Sequence, residues 1–174
     1  KLVDELYELA RADEGHFDYR MEPLDLWRLA CDEAAGFAEK LHAAGLALSF
    51  GDTPAASRVM GDPDRIRQVL CNLLENCVRY SSAGGRVELH GIADKGLLAI
   101  VIDDTAPAVP DAALARLTER FFRVEQSRNR QQGGSGLGLA MCQRIVEAHG
   151  GTLQFTHSPL GGLRVTVTLP LEQA

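Results

Sequence analysis

The sequence predicts an α+β domain: a two-layer sandwich with a mainly antiparallel, mixed sheet packed on three helices. Three observations predict it. Apolar residues recur at helical spacing over 23–45, 62–81 and 137–149. Two pairs of strand-like runs, 85–92 with 96–103 and 151–159 with 161–170, are each joined by a short turn and read as hairpins. The helices do not alternate one by one with parallel strands, so segregated layers fit better than a doubly wound sheet. At 174 residues the chain is one domain's length.

Taken in order, "KLVDELYELARADEG" places Leu2, Leu6 and Leu9 on one face of a short amphipathic helix ending at Gly15. So short a helix is marginal alone and calls for something to pack on. "PLDLWRLACDEAAGFAEKLHAAG" reads as one longer helix, with Leu26, Leu29, Ala30, Phe37 and Leu41 inward and Gly45 at its end. "LALSF" alternates as a strand, and "ASRVMGD" is a second short one. The third helix spans about Pro63 to Tyr80, with Asp62 as N-cap and proline in the first turn. A hairpin follows around Asp94-Lys95-Gly96. Residues 104–136 are a long irregular region, a helix runs from Leu137 to His149, and a hairpin around Pro159–Gly162 closes the chain.

Composition narrows the function. A net charge of −6 argues against nucleic-acid binding, which needs a basic face. Cys31, Cys71, Cys77 and Cys142 form no C-x-x-C pair and lie among apolar neighbours, so they read as reduced thiols. No apolar run reaches the ~18 residues of a membrane span, and no signal peptide opens the chain. The chain opens inside a helical pattern, which reads as a fragment of a longer protein.

Two segments carry chemistry. In "DPDRIRQVLCNLLENCVRYS", Ile66, Val69, Leu70, Leu73, Leu74 and Cys77 share one arc at about 100° per residue. Arg65, Gln68, Asn72, Glu75, Asn76 and Arg79 share the other. Asparagine is a mediocre helix former, so two of them mid-helix suggest a task for the carboxamides, such as offering neutral oxygen to magnesium. A solvated face remains the other reading. In "QQGGSGLGLAMCQRIVEAHGG", Gly133, Gly134, Gly136 and Gly138 run straight into a helix. Leu139 stands where a P-loop has lysine, and the spacing is not that of a dinucleotide fingerprint. Phosphate cradle and flexible loop both stay open on this stretch alone.

The order of the segments adds a resemblance. "NLLENCVRYS", "DDTAPAVP", "ERFFR", "GGSGLGL" and "GGLRVTVTLP" follow one another like the N, G1, F, G2 and G3 boxes of sensor histidine kinases. The chain is similar over nearly its whole length to their ATP-binding domain, of the Bergerat-type fold shared by gyrase, chaperone, kinase and mismatch-repair ATPases (the GHKL superfamily). "SRNRQQGGSGLGLAMCQRIVEAHGG" resembles envelope-stress sensor kinases of the BaeS type in particular.

That resemblance implies residues 1–20 as the end of the second dimerisation helix with its linker, and 21–174 as the catalytic ATP-binding domain. It implies Asn76 as a magnesium ligand, Asn72 one turn earlier, Arg79 on phosphate and Tyr80 beside the nucleotide. Hydrolysing relatives carry glutamate at the position of Asn72; an amide cannot be that general base. Asp104 would accept from the adenine amine, and the loop with Ala106, Ala108 and Val109 would line the nucleotide. Gly134, Ser135, Gly136, Leu137, Gly138 and Leu139 would hold phosphate at the helix start. Phe121, Phe122, Arg123, Ser127, Arg128 and Arg130 would form a lid, and Thr166 would contribute from the last strand.

There are departures. The G1 pattern D-x-G-x-G reads Asp104-Thr105-Ala106-Pro107-Ala108 here, Thr118 replaces the first F-box phenylalanine, and there is no phosphoacceptor box. His16, His42, His90, His149 and His157 therefore read as surface or packing residues. The acceptor histidine and a membrane-borne sensor are expected upstream of Lys1. The implied whole is an inner-membrane homodimer whose cytoplasmic domain passes phosphoryl from Mg-ATP to its own dimerisation domain, and then to a response regulator. The rival is a degenerate nucleotide-binding or interaction module, which the two G1 alanines favour and Asn76, Asp104 and the glycines oppose.

Overall fold

The computed structural model describes residues 2–13, 18–105, 107–124 and 134–172. His16, Ala106, Ser127, Arg128, Arg130 and Gly133 lie outside the described residues. Helices α1 (Leu2–Asp13), α2 (Leu26–Gly36), α3 (Ala38–Ala43), α4 (Pro63–Tyr80), α5 (Asp111–Leu114) and α6 (Gly138–Ala148) accompany seven strands. These are β1 (Glu22–Asp25), β2 (Ala47–Phe50), β3 (Arg58–Gly61), β4 (Arg86–Asp94), β5 (Leu97–Thr105), β6 (Thr152–His157) and β7 (Gly161–Pro170). Five strands form one sheet in the order β2-β4-β5-β7-β6, antiparallel except where β2 runs parallel to β4. The expected α+β sandwich is what the chain forms.

The two hairpins come from local chemistry. Lys95 and Gly96 both have positive φ (48° and 78°), the conformation a two-residue turn needs to match strand twist. Along β7, Val165, Val167 and Leu169 are buried while Arg164, Thr166 and Thr168 alternate onto the opposite face. β5 crosses the middle of the sheet and is buried continuously from Ile100 to Asp104.

The predicted helix over 23–45 is corrected in two places. Pro23–Asp25 belongs to β1, which pairs antiparallel with β3 through Pro23↔Met60 and Leu24↔Val59. The helix begins one residue later, where the Asp25 carboxylate accepts from the Arg28 N–H at 2.9 Å. It then breaks at Gly36, the weakest helix former in the run, and Phe37 turns into the core before α3 starts. The long irregular region also holds more structure than expected, since β5 continues to Thr105 and α5 forms one turn.

α4 carries the packing. Ile66, Val69, Leu70, Leu73, Leu74 and Cys77 are all at most 5% exposed, and they meet α6, α2 and the inner face of the sheet. Burial of such an arc contributes on the order of 10 kcal/mol before chain entropy is charged against it. α4 and α6 run antiparallel. Near one end the Asp62 N–H donates to His149 Nε2 at 2.9 Å, while His149 Nδ1 donates to the Ile145 carbonyl at 2.6 Å. Both ring nitrogens are thus engaged, which fixes the Nδ1–H tautomer. The Tyr19 ring closes edge-on over His149 at 5.4 Å. Further along, the Cys142 thiol reaches the Val69 carbonyl at 3.8 Å. His149 is therefore a buried junction.

α1 docks on this pair. Leu9 is 1% exposed, and Glu8 meets Arg65 at 3.5 Å and Gln68 at 3.2 Å. Leu2, Val3, Leu6 and Tyr7 stay exposed, so Leu9 alone of the expected leucine face finds the core.

Asp62 caps α4 through Asp64 N–H (3.0 Å) and Arg65 N–H (3.2 Å), and its second oxygen accepts from Arg20 N–H at 3.0 Å. Burial pushes this carboxyl up, but the three N–H donors and the nearby Arg65 charge outweigh it and hold it below the ordinary range. Its contribution is therefore present at neutral pH and is lost only as pH falls through that lowered native value. Asp62→Ala is predicted to lose about 2 kcal/mol in urea unfolding at neutral pH. The gap to the parent should narrow as pH falls from the ordinary aspartate range through the lowered native value, and be smallest below it.

Candidate functional site

The polar arc of α4 meets the start of α6. Asn72, Asn76 and Arg79 are all half-buried, and Tyr80 is 39% exposed beside the Arg79 guanidinium, 6.0 Å from its ring centroid. A Cβ at Gly138 would lie 3.7 Å from the Asn72 carboxamide, so the first turn of α6 abuts that side chain directly. A Cβ at Gly134 would collide with the Arg79 guanidinium. The helix pattern and the glycine cluster, ambiguous separately, thus form one surface.

The glycine loop is built of close backbone approaches. Gly136 has φ +72°, and a Cβ there would stand 2.8 Å from Phe121 Cα. The Phe121 N–H donates to the Gly136 carbonyl at 3.0 Å, clasping the F-box segment to the loop. Phe121 itself has φ 63° and is 56% exposed. The Leu137 N–H donates to Ser135 Oγ at 3.2 Å, but no side chain caps α6. Among the described residues no side chain caps its first-turn N–H groups, which stand at the helix end that favours anions. Leu139 is half-buried against the core.

A second cluster lies at the far end of α4. Asp104 is 8% exposed, and its Oδ1 accepts from the Leu163 N–H at 2.7 Å. Burial pushes its carboxyl up to about 6; the Leu163 N–H and the neighbouring Ser81 and Cys77 side chains pull the other way, while Asp103 adds to the rise. The Cys77 thiol is itself pushed well up by burial and by the Asp104 charge. Cys142, behind Asn72, is pushed up to about 12 by burial, which the Asn72 side chain partly offsets. Strand alternation separates the two adjacent aspartates. Asp103 points to the other face, where Arg164 holds it through two hydrogen bonds of 2.9 and 2.7 Å.

The remaining expected residues divide. Val109 is half-buried and Ala108 exposed in the loop after β5; Phe122 is half-buried with the Arg116 guanidinium 4.3 Å from its ring centroid, and Arg123 is exposed. Ala106, Arg128 and Arg130 lie outside the described residues. Thr166 does not join either cluster: it is on the sheet face that carries Arg164, opposite the helices, which corrects the expectation that it lines the site. Ser81, Cys77 and the Leu163 amide were not foreseen around Asp104. Among the described residues no group of three or more His, Cys, Asp or Glu side chains is arranged to hold a metal.

The raised Asp104 has a measurable sign. Its native carboxyl holds a proton to higher pH than the unfolded one, so this group costs stability as pH rises from about 4 to about 6, and in full above that. Asp104→Asn is predicted to stabilise the nucleotide-free domain by about 2 kcal/mol at about pH 7.5 and by little at about pH 4. A variant less stable than the parent at the higher pH would show that the carboxylate is better solvated than its burial implies.

With this geometry in view, comparison with known proteins is informative. Residues 61–173 match the family model described as histidine kinase-, DNA gyrase B- and HSP90-like ATPase. The chain is 45% identical over 173 residues to the signal transduction histidine-protein kinase BaeS of Escherichia coli K12, covering 99% of this chain and 37% of that protein. It is 34% identical over 146 residues to the sensor histidine kinase CpxA of the same organism, covering 84% of this chain and 31% of that protein. Full-length ShkA, solved in complex with AMPPNP, superposes with a TM-score of 0.83 at 27% identity, covering 99% of this chain and 36% of that one. The chain thus spans about a third of the length of these relatives. The match covers most of the chain, and the chain belongs to the histidine kinase-, DNA gyrase B- and HSP90-like ATPase family.

Proposed function

We propose that this chain is the catalytic domain of a sensor histidine kinase, and that it positions Mg-ATP for transfer of the γ-phosphoryl group to a histidine of a dimerisation segment. The carrying observation is the contact of Asn72 with Gly138, which joins a stripe of neutral carboxamides to uncapped helix N–H groups. The N–H groups suit phosphate oxygens, and the Arg79 guanidinium beside Gly134 adds a cation at the same place. Asn76, one turn from Asn72 on the same arc, offers a neutral oxygen to magnesium, whose charge would offset that of the phosphates. Asp104, whose environment is buried and polar, would accept from the exocyclic amine of adenine. No carboxylate stands at position 72 to activate water, which favours transfer to a side chain over hydrolysis.

The relatives' names support a wider setting for the chain. Residues 1–20 would close the second dimerisation helix, and the exposed Leu2, Val3, Leu6 and Tyr7 on α1 suit a partner helix in a homodimer. A response-regulator aspartate would take the phosphoryl group next. The relatives' naming as sensor kinases supports a cytoplasmic location on an inner-membrane protein; no described helix of this chain is long and apolar enough to cross a membrane. Phe122, Arg123, Arg128 and Arg130 would close over the triphosphate.

Supplied with a dimerisation segment carrying the acceptor histidine, the chain should phosphorylate it from Mg-ATP. Asn76→Ala should retain the parent's thermal unfolding, being off the core arc, yet lose magnesium-dependent nucleotide binding by at least roughly tenfold. Binding of Mg-ATP by that variant at the parent's affinity would reduce the stripe to a solvated face.

A further inference from the structure

Cys142 does more in the seam than core packing asks of a side chain. It is fully buried on α6, one turn after Gly138, and faces the turn of α4 that carries Val69 and Asn72. Its thiol donates to the Val69 carbonyl at 3.8 Å, and the Asn72 side chain is hydrogen-bonded to the same sulfur. Valine is similar in size and offers neither bond. The sulfur thus joins the apolar seam to the polar arc of α4.

Counting protons fixes which way the carboxamide faces. A thiol has one proton to give and otherwise only accepts. That proton goes to the Val69 carbonyl, so Asn72 meets the sulfur as a donor, through Nδ2–H. Burial pushes the thiol up to about 12 and the Asn72 side chain partly offsets the rise, as a donor does and an acceptor would not. Oxygen and nitrogen lie on opposite sides of Cγ in a planar amide, so Nδ2 at the sulfur sets Oδ1 away from the seam. The contact with α6 agrees: a Cβ at Gly138 would lie 3.7 Å from Oδ1 and 3.9 Å from Nδ2. Gly138 opens α6, so the oxygen stands at the first turn of that helix.

We propose that Cys142 is a positioning residue for Asn72: its sulfur holds the carboxamide with Nδ2 turned into the seam and Oδ1 turned toward the nucleotide site. This rests on the nucleotide-site reading above and adds to it a residue that touches no ligand. Asn72 then enters the site as an acceptor. Its oxygen suits magnesium or a water bound to it, and its N–H groups are withheld from the phosphates, which are left to the helix N–H groups and Arg79.

The orientation is read first without any ligand. In the isotopically labelled, metal-free parent, the Asn72 Nδ2 protons should show nuclear Overhauser contacts to the Cys142 β protons. Absence of those contacts would overturn the proposal with no variant needing to fold. Calorimetry then measures ADP binding with and without magnesium for the parent, Cys142→Val and Cys142→Ser. Cys142→Val should lose roughly fivefold of the affinity that magnesium adds, the effect of one weak buried hydrogen bond, and nothing of metal-free binding. Cys142→Ser keeps a donor and an acceptor and should recover most of that gain. Packing alone ranks the two variants the other way in thermal unfolding, since burying a hydroxyl costs more than burying a methyl group. Equal loss of the magnesium gain in both variants would overturn the proposal, because the sulfur would then act by volume; so would a Cys142→Val chain that keeps the whole gain. A parent that binds no nucleotide would sink the nucleotide-site reading instead, and the Asn72 proton contacts would still decide the orientation.

Discussion

The antiparallel seam between α4 and α6 is the constraint on which the rest depends. It is held by Asp62 and His149 near one end and by Cys142 on the Val69 carbonyl along its length, and it ends where Gly138 meets Asn72. A helix advances about 100° per residue, so a slip of one position would turn Asn76 toward the core and a leucine toward solvent. The buried hydrogen bonds of His149 make such a slip costly, because each would leave a polar group unpaired away from water. The asparagine stripe faces the glycine loop because the seam has this register.

The seam also explains why the site can be rich in small and neutral groups. Gly134 leaves room for the Arg79 side chain, and Gly138 lies within ordinary contact range of the Asn72 carboxamide, so backbone N–H groups and side-chain amides converge on one spot. In the proposed site the positive charge for phosphate would come from the helix end and Arg79, with no P-loop lysine at position 139. Asp104, at the other end of α4, is isolated enough to hold its proton up to about 6. The two clusters are set by the length of one helix: Asn72 and Ser81 are separated by nine residues, about 14 Å along its axis.

Most of α4 was legible because its signals are local. Asp62 and Pro63 mark the start, and six apolar residues keep the period. The segment before it was misread for a nonlocal reason: Pro23–Asp25 is compatible with a helix start, and only pairing with β3 makes it a strand. Strand alternation in β7, visible in Val165, Val167 and Leu169, argues against Thr166 as a site residue, yet the motif resemblance drew it in. His149 was read as packing or surface because its partner Asp62 is 87 positions away. Ser81 lies just past the predicted helix end at Tyr80, and only the fold brings Asp104 beside it. The Ala106, Arg128 and Arg130 expectations fall outside the described residues and rest on resemblance alone.

Backbone amide NMR of the isotopically labelled chain, titrated with Mg-AMPPNP, tests the central claim most directly. The seam predicts shift changes in two separated groups, Gly134–Leu139 with Asn72, Asn76 and Arg79, and Ser81 with Asp104 and Leu163, moving with one common affinity. The competing polar cavity, lined by Asp18, Arg20, Asp62, Asp64 and Arg65 at the opposite end of α4, should stay silent. Saturable shifts confined to that cavity, with Asn72 and Gly138 unmoved, would contradict the account.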